Sequence, residues 1–426
     1  MKMKSLFFKL KSDPRIKNSL WMFVEKGISL FGLIFIISAV AKYTGPSIYG
    51  EISLAASIFI VLKTIAQLGL DQTFFKYVSE KKPYYNLFLF YAIKLISLIF
   101  ILVFFLVFLW SIKFSSYTGF WFIVATGIAY YFNSIDLINF FNEGRLLSKL
   151  NVFANIVGLT IALVLRYIVV IFKLNVLYLC FPIVIMTLIP FLIKFYFYRS
   201  YVDQSKFCKK NKNLKYYKYF IYTGVPLTLS ILTVSINSQI ANYFLAYFEG
   251  TKSVGVYSVA FILAGAWCII PTTIIMSFLT TIYATNNYQN YIALSRKLFI
   301  SIVSISLILI LILILLSDFI IDFLYGPQYF KSIFIFRILL FYQFFWVIGF
   351  YFSRLILKFN GFGFLAYKSI FTCILNLILS FVLIKKYGML GAAYSVLISE
   401  IVSSMFFNMF YRKANLLKII NPFGAR

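Results

Sequence analysis

The sequence predicts an all-α polytopic membrane protein, with about 12 transmembrane helices in two six-helix lobes related by an internal repeat. Three observations carry that prediction: a composition that suits only a lipid solvent, a series of apolar runs each long enough to cross a bilayer, and a 15-residue stretch that occurs twice.

Hydrophobic residues make up 62% of the 426 and charged residues only 12%, with a mean hydropathy of +0.93. Soluble chains carry about 25% charged residues, and a soluble domain of this size cannot hide so much apolar surface. Histidine is absent, which removes the usual proton shuttle and the commonest metal ligand. The cysteines, Cys180, Cys208, Cys268 and Cys373, share no metal-type spacing and read as small apolar residues. No metal and no cofactor is expected.

A helix needs about 20 apolar residues to cross the hydrocarbon core. The first half offers 18–42, 51–70, 87–112, 117–139, 152–172 and 176–197. The second half offers 220–248, 254–284, 298–316, 333–357, 364–384 and 391–411. Turn residues separate several of them: Tyr43-Thr44-Gly45-Pro46, Glu249-Gly250, Tyr325-Gly326-Pro327 and Asn360-Gly361-Phe362-Gly363. Non-helical backbone cannot face lipid, so twelve helices are the simple solution.

Basic residues set the orientation. With the N-terminus in the cytoplasm, the cytoplasmic segments hold 26 Lys and Arg residues and the outer segments 8. This asymmetry accounts for most of the +28 net charge without nucleic acid. Met1 to Lys17 reads as a cytoplasmic amphipathic segment, because the span after it is too long for a cleavable signal. The expected organisation is then a first lobe over 18–197, a basic cytoplasmic linker over 198–218, a second lobe over 219–411 and a cytoplasmic tail over 412–426. The bacterial plasma membrane is the expected location.

The repeated stretch reads AKYTGPSIYGEISLA from Ala41 and AYFEGTKSVGVYSVA from Ala246, an offset of 205 residues. Gly45 matches Gly250, Gly50 matches Gly255, Ser53 matches Ser258 and Ala55 matches Ala260. Both copies join one long apolar segment to the next, at the outer turn between the first two helices of each lobe. Their glycines suit a close approach of those helices. Two like-oriented halves suggest a transporter, since such halves can move against each other around a cavity.

Ionisable residues inside spans are costly and are functional candidates by default. Helix one carries Trp21, Glu25 and Lys26; helix two carries Lys63, Gln67 and Asp71 as one stripe at i, i+4, i+8. Helix four carries Thr126, Asn133, Asp136 and Asn139, helix five Asn151, Asn155 and Arg166, and helix seven Thr228, Ser235 and Gln239. Lys94, Lys194, Lys368 and Glu400 complete the set. Lys194, Lys94 and Lys368 lie near helix ends and are expected to snorkel to the headgroups. Glu25 and Asp136 lie deeper, where the readings are ion coupling or structural pairing. The first lobe is thus expected to present a cationic face. Arg and Lys bind phosphate or pyrophosphate through charge-assisted hydrogen bonds, so an amphiphile with an anionic headgroup is the fitting ligand.

The segments NSLWMFVEKGISL from Asn18, AKYTGPSIYGEISLA, and IAQLGLDQTFFKYVSE from Ile65 resemble the opening of O-antigen and capsule repeat-unit flippases. Those flippases belong to the multidrug/oligosaccharidyl-lipid/polysaccharide (MOP) exporter superfamily. GVPLTLSILTVSINSQIANYFLA, GVYSVAFILAGAWCIIPTTI, FLYGPQYFKS and NLILSFVLIKKYGMLGAAYSVLIS continue the resemblance in order along nearly the whole chain. The resemblance implies a MATE-like fold of two six-helix lobes and alternating access. It also implies export of polyprenyl-pyrophosphate-linked oligosaccharide, with membrane lipids and the polysaccharide polymerase and glycosyltransferase machinery as partners. Family members often carry an Arg-Asp pair in helix seven, where this chain has Ser238-Gln239.

On this reading Lys26, Lys63, Arg145, Arg166, Gln239 and Trp21 line the substrate path, and Glu25 or Asp136 binds a proton or sodium ion. The alternative is a cation-coupled multidrug antiporter, which would want an acidic cavity. In-span cations instead outnumber in-span acids, six Lys/Arg against Glu25, Asp136 and Glu400. A membrane-embedded transferase or polymerase is disfavoured, because no connecting loop exceeds roughly twenty residues.

Overall fold

The computed structural model describes residues 27, 32–81, 85–201, 213–285 and 287–420. The helices are α1 (Ser38–Gln67, preceded by a π-turn, Leu33–Ile37), α2 (Leu70–Ser79), α3 (Tyr85–Phe114), α4 (Tyr117–Ile135), α5 (Ile138–Gly144), α6 (Ser148–Ile171) and α7 (Cys180–Tyr201). After them come α8 (Asn213–Phe248), α9 (Thr251–Ala266), α10 (Ile269–Ala284), α11 (Tyr288–Leu315) and α12 (Ser317–Tyr325). The last are α13 (Lys331–Lys358), α14 (Phe362–Ile401, running into a π-helical stretch, Val402–Phe407) and α15 (Leu416–Ile420). No strand occurs among the described residues.

Eight helical stretches among the described residues are long and apolar enough to cross a membrane, or nine if α9 and α10, bent by 40°, form one span. The chain is a multi-pass membrane protein. The two spans expected on either side of Tyr43-Thr44-Gly45-Pro46 are two helices within α1, parted at the non-helical Gly45, where φ is 75° and ψ 169°. Likewise α14 covers two expected spans and breaks at Gly388, with φ 57° and ψ −133°. Gly250, the repeat partner of Gly45, has φ 83° and ψ 179°. The two copies therefore share one backbone conformation that only glycine adopts without about 1–3 kcal/mol of strain.

The chain divides into two compact units, one of Met1–Thr44 with Glu51–Ser235 and the other of Gly45–Gly50 with Ile236–Arg426. The first is built on an aromatic core. The Phe59 ring lies 6.3 Å from Phe100 and 5.8 Å from Phe104, while Phe88 stacks on Phe74 at 5.2 Å and meets Phe220 at 4.6 Å. Such ring pairs each add about 0.5–1.5 kcal/mol beyond burial, which matters because lipid tails supply no hydrophobic drive between helices. Glu51 fastens α1 to α4: its carboxylate accepts from Ser116 at 2.6 Å and Thr118 at 2.7 Å. Ser116 itself caps α4 by accepting from the Gly119 N–H at 3.0 Å.

The second unit centres on α13, packed against α9, α11 and α14. Ser332 donates to the Val256 carbonyl at 2.9 Å and Tyr351 to the Ser295 carbonyl at 2.8 Å. Gly50 and Gly255 allow the backbones of their segments to touch. A Cβ on Gly50 would fall 1.8 Å from the Thr251 carbonyl oxygen, and one on Gly255 would fall 2.0 Å from that of Pro46.

Candidate functional site

The first unit gathers its polar side chains where α4 ends. Asp136 terminates α4, and the chain turns tightly there, the Leu137 N–H meeting the Ile135 carbonyl at 2.7 Å. One Asp136 carboxylate oxygen accepts from the Asn139 N–H at 3.3 Å, and the other pairs with Lys194 of α7 at 2.7 Å. Lys194 also donates to Asn139 Oδ1 at 3.2 Å. Asn139 Nδ2 in turn donates to Glu143 at 2.8 Å. Asn151 of α6 closes the group, accepting from Asn142 at 2.7 Å and donating to the Asn139 carbonyl at 2.8 Å.

The stripe on α1 faces this group. Lys63 Nζ donates to Asn133 Oδ1 at 2.5 Å, and Gln67 donates to the Ser134 carbonyl at 3.1 Å. Thr64 shares a hydroxyl contact of 3.0 Å with Ser235. Lys63 lies in the electrostatic field of Asp71, Asp136 and Lys194. Asp71 sits in the first turn of α2. Burial pushes its carboxyl above the ordinary carboxylate range, against the opposing pull of the Gln72 N–H and of Lys63. Its Oδ1 is buried without a hydrogen-bond partner.

The two lysines differ in a way that decides what they can do. Lys194 is buried, and its ammonium is neutralised by a carboxylate. Lys63 spends one N–H on a neutral amide and forms no ion pair within 4.0 Å among the described residues. An ammonium has three donors, so Lys63 keeps donors and charge for a further acceptor. Asp136 is matched to Lys194, and Asp71 acts on Lys63 only through its field, without an ion pair.

Of the sequence-predicted site residues, Lys63 and Asp136 come together in this group. Arg145 does not join it through any described bond. It closes the C-terminus of α5, with its guanidinium 5.4 Å from the Tyr85 ring centre and 5.9 Å from that of Phe141. Its Nε is buried without a hydrogen-bond partner. Arg166 lies against Met186 of α7, with Nη2 to Sδ at 3.9 Å. Gln239 belongs to the second unit, donating to Ser238 at 3.0 Å and accepting from Asn242 at 3.2 Å. Trp21, Glu25 and Lys26 lie outside the described residues, as do the segments 1–17, 202–212 and 421–426.

Two expectations are corrected. Lys194 and Lys368 do not snorkel: both are buried, Lys194 on Asp136 and Lys368 on Asn408 at 2.9 Å. Depth along a single helix cannot reveal that a neighbouring helix brings a polar acceptor to the same level.

The second unit has its own polar set, of which the sequence reading marked Lys368 and Glu400 but not Asn237, Asn376, Ser380 or Asn408. Asn376 donates to Asn237 Oδ1 at 2.9 Å, and Ser380 bridges Asn376 at 3.1 Å and Ser395 at 3.0 Å. Lys368 shares its electrostatic surroundings with Glu400, which in turn influences Tyr342. The i, i+4 spacings of Asn376 with Ser380 and of Ser404 with Asn408 were the available signal. Among the described residues no group of His, Cys, Asp or Glu is arranged to hold a metal.

Residues 16–283 match the profile of the family described as "Polysaccharide biosynthesis protein". The capsular polysaccharide biosynthesis protein CapF of Staphylococcus aureus is 26% identical over 257 residues, which cover 59% of this chain and 64% of CapF. Among solved structures, the lipid II flippase MurJ in an inward closed conformation superposes with a TM-score of 0.71 at 18% identity, covering 95% of this chain and 91% of that one. An inward-facing multidrug resistance MATE transporter of the MOP superfamily gives a TM-score of 0.60 at 15% identity, covering 95% and 96%. At these identities the structures speak for the fold.

Proposed function

Since the chain belongs to the polysaccharide biosynthesis protein family, we propose that it is a secondary transporter of lipid-linked saccharide. In this reading it moves polyprenyl-pyrophosphate-linked oligosaccharide repeat units across the bacterial inner membrane by alternating access. The units would supply O-antigen, capsule or exopolysaccharide synthesis, with both termini in the cytoplasm. The match to a capsular polysaccharide biosynthesis protein supports the glycan assignment, and the fold shared with a lipid II flippase supports the transport of a lipid-linked headgroup.

The observation that carries the reading is the Lys63 ammonium, held by Asn133 rather than by a carboxylate. A phosphate oxygen can take the remaining donors, and a charge-assisted hydrogen bond is worth about twice a neutral one. In the proposed cycle Lys63 and Lys26 engage the pyrophosphate. The unpartnered Nε of Arg145 offers a further donor, and Arg166, Gln239 and Trp21 line the sugar's path. Glu25 is the preferred coupling carboxylate, because Asp136 would have to release Lys194 before it could take a proton or sodium ion. The 18–197 and 219–411 segments act as the two lobes, and the polymerase and glycosyltransferase machinery receives the product.

The reading is tested by complementing a deletion strain with Lys63→Ala. Loss of surface polysaccharide, with the protein still inserted in the membrane, is the expected result; normal polysaccharide refutes the role of Lys63. A drug-efflux assay on the same strains separates this function from a multidrug antiporter, which would restore drug resistance instead.

A further inference from the structure

The second unit contains a cavity of about 500 Å³ that none of the foregoing uses. It lies where three chain reversals meet: the end of α8 at Glu249, the start of α13 at Lys331, and the break in α14 beside Tyr387 and Met389. Its volume falls within the roughly 300–1,000 Å³ of small-molecule sites. One wall is apolar and open, with Phe334 65% and Leu390 42% exposed. The other wall carries charge of both signs.

Three charged side chains line it, and they are not equivalent. Arg337 is committed: its guanidinium binds both Asp318 oxygens, at 3.0 and 2.9 Å, and donates from Nε to Ser317 at 2.8 Å. Lys331 and Glu249 are uncommitted. Both are exposed, and neither side chain forms a hydrogen bond or ion pair with another described residue, including each other. The Glu249 carboxylate rests over Gly388, where a Cβ would fall 1.8 Å from Oε1. A cation and an anion therefore face one cavity without joining, beside an apolar wall at the level of the helix ends.

We propose that this cavity binds a phospholipid with a zwitterionic ethanolamine headgroup. The phosphate meets Lys331, the primary ammonium donates to Glu249, and an acyl chain lies along Phe334 and Leu390. A lysine without an ion pair at a helix end can hold a lipid phosphate through a charge-assisted hydrogen bond. The carboxylate makes the site selective: it repels a purely anionic glycerol headgroup, whereas an ethanolamine ammonium satisfies it. A choline headgroup lacks N–H donors for Glu249 and would seek an aromatic face. Two of the lining rings are already engaged, Tyr387 by Lys386 at 5.2 Å and Phe334 by Arg337 at 5.8 Å from their centres.

The test uses the purified full chain in detergent, titrated with phosphatidylethanolamine, phosphatidylglycerol and phosphatidylcholine of matched acyl chains and read by native mass spectrometry. The wild type is expected to bind the ethanolamine lipid at least about fivefold more tightly than the other two, as one charge contact at a membrane surface supplies. Lys331→Gln weakens the ethanolamine and glycerol lipids together, and Lys331→Arg restores both. Glu249→Gln abolishes the preference for ethanolamine over glycerol while total lipid binding persists. An unchanged ethanolamine-to-glycerol ratio in Glu249→Gln, or unchanged ethanolamine binding in Lys331→Gln, overturns the proposal. Both residues are exposed, so neither change threatens the fold. The readout is independent of what the protein transports.

Discussion

Gly50 and Gly255, equivalent positions in the two copies of the repeat, meet backbone to backbone. A Cβ added to either would lie 3.0 Å from the amide nitrogen of the other. The contact is reciprocal. It requires glycine on both sides.

The first prediction concerns that contact. Gly50→Ala and Gly255→Ala each drive a methyl group into a carbonyl, of Thr251 at 1.8 Å and of Pro46 at 2.0 Å. Each is expected to destabilise the protein by about 1–3 kcal/mol, the usual cost of overpacking. Thermal unfolding of the detergent-solubilised protein measures it. Gly363→Ala, where nothing lies within 4 Å of the new Cβ, is the control and should leave the midpoint nearly unchanged.

Gly250 separates backbone strain from crowding. A Cβ there meets nothing within 4 Å, yet φ is +83°. Gly250→Ala should therefore still lower stability, by about 1–3 kcal/mol, through conformation alone. A midpoint as high as that of Gly363→Ala contradicts this account of the turn.

The Lys194–Asp136 pair predicts a non-additive double mutant. Lys194→Met leaves a partly buried carboxylate, 14% exposed, without its partner and should cost up to about 3–5 kcal/mol, and Asp136→Asn, which strands the buried Lys194 ammonium, should also be harmful. The double variant, with neither charge, should be markedly more stable than the sum of the two losses allows. Additive losses in thermal unfolding would show that the 2.7 Å contact carries no coupling.

Asp71 predicts a pH dependence. Its folded-state carboxyl is raised by burial, so the folded state favours the protonated form. That preference is fully satisfied below the ordinary carboxylate pKa, and stability is lost as pH rises toward and through the raised value. Asp71→Asn should therefore gain on the wild type as pH rises from the ordinary value of 3.8 through the raised value, and hold a constant advantage above it. A difference that stays constant from below 3.8 upward contradicts the burial argument.

Much of this was legible in the chain itself. The turn residues at Gly45, Gly250 and Gly326 all carry positive φ, and the repeat marked two of them in advance. Lys63 and Gln67 share one face of α1, as i, i+4 spacing requires, but the expected continuation to Asp71 is corrected: α1 ends at Gln67, Leu68 and Gly69 are left-handed, and Asp71 stands on α2, so the turn and not helical spacing brings it near Lys63. The partners of that stripe were not legible. Asn133 and Asp136 reach it from the end of α4, and Lys194 comes from α7; no spacing along the chain encodes which helices are neighbours. The same blindness turned the buried Lys194 and Lys368 into expected snorkellers.

The most direct test of the central claim is deletion of the gene followed by mass spectrometry of the lipid-linked intermediates. The account predicts accumulation of a polyprenyl-pyrophosphate-linked oligosaccharide repeat unit in the deletion strain, cleared by the wild-type chain and not by Lys63→Ala. A deletion strain with no such accumulation, and with normal surface polysaccharide, would contradict it.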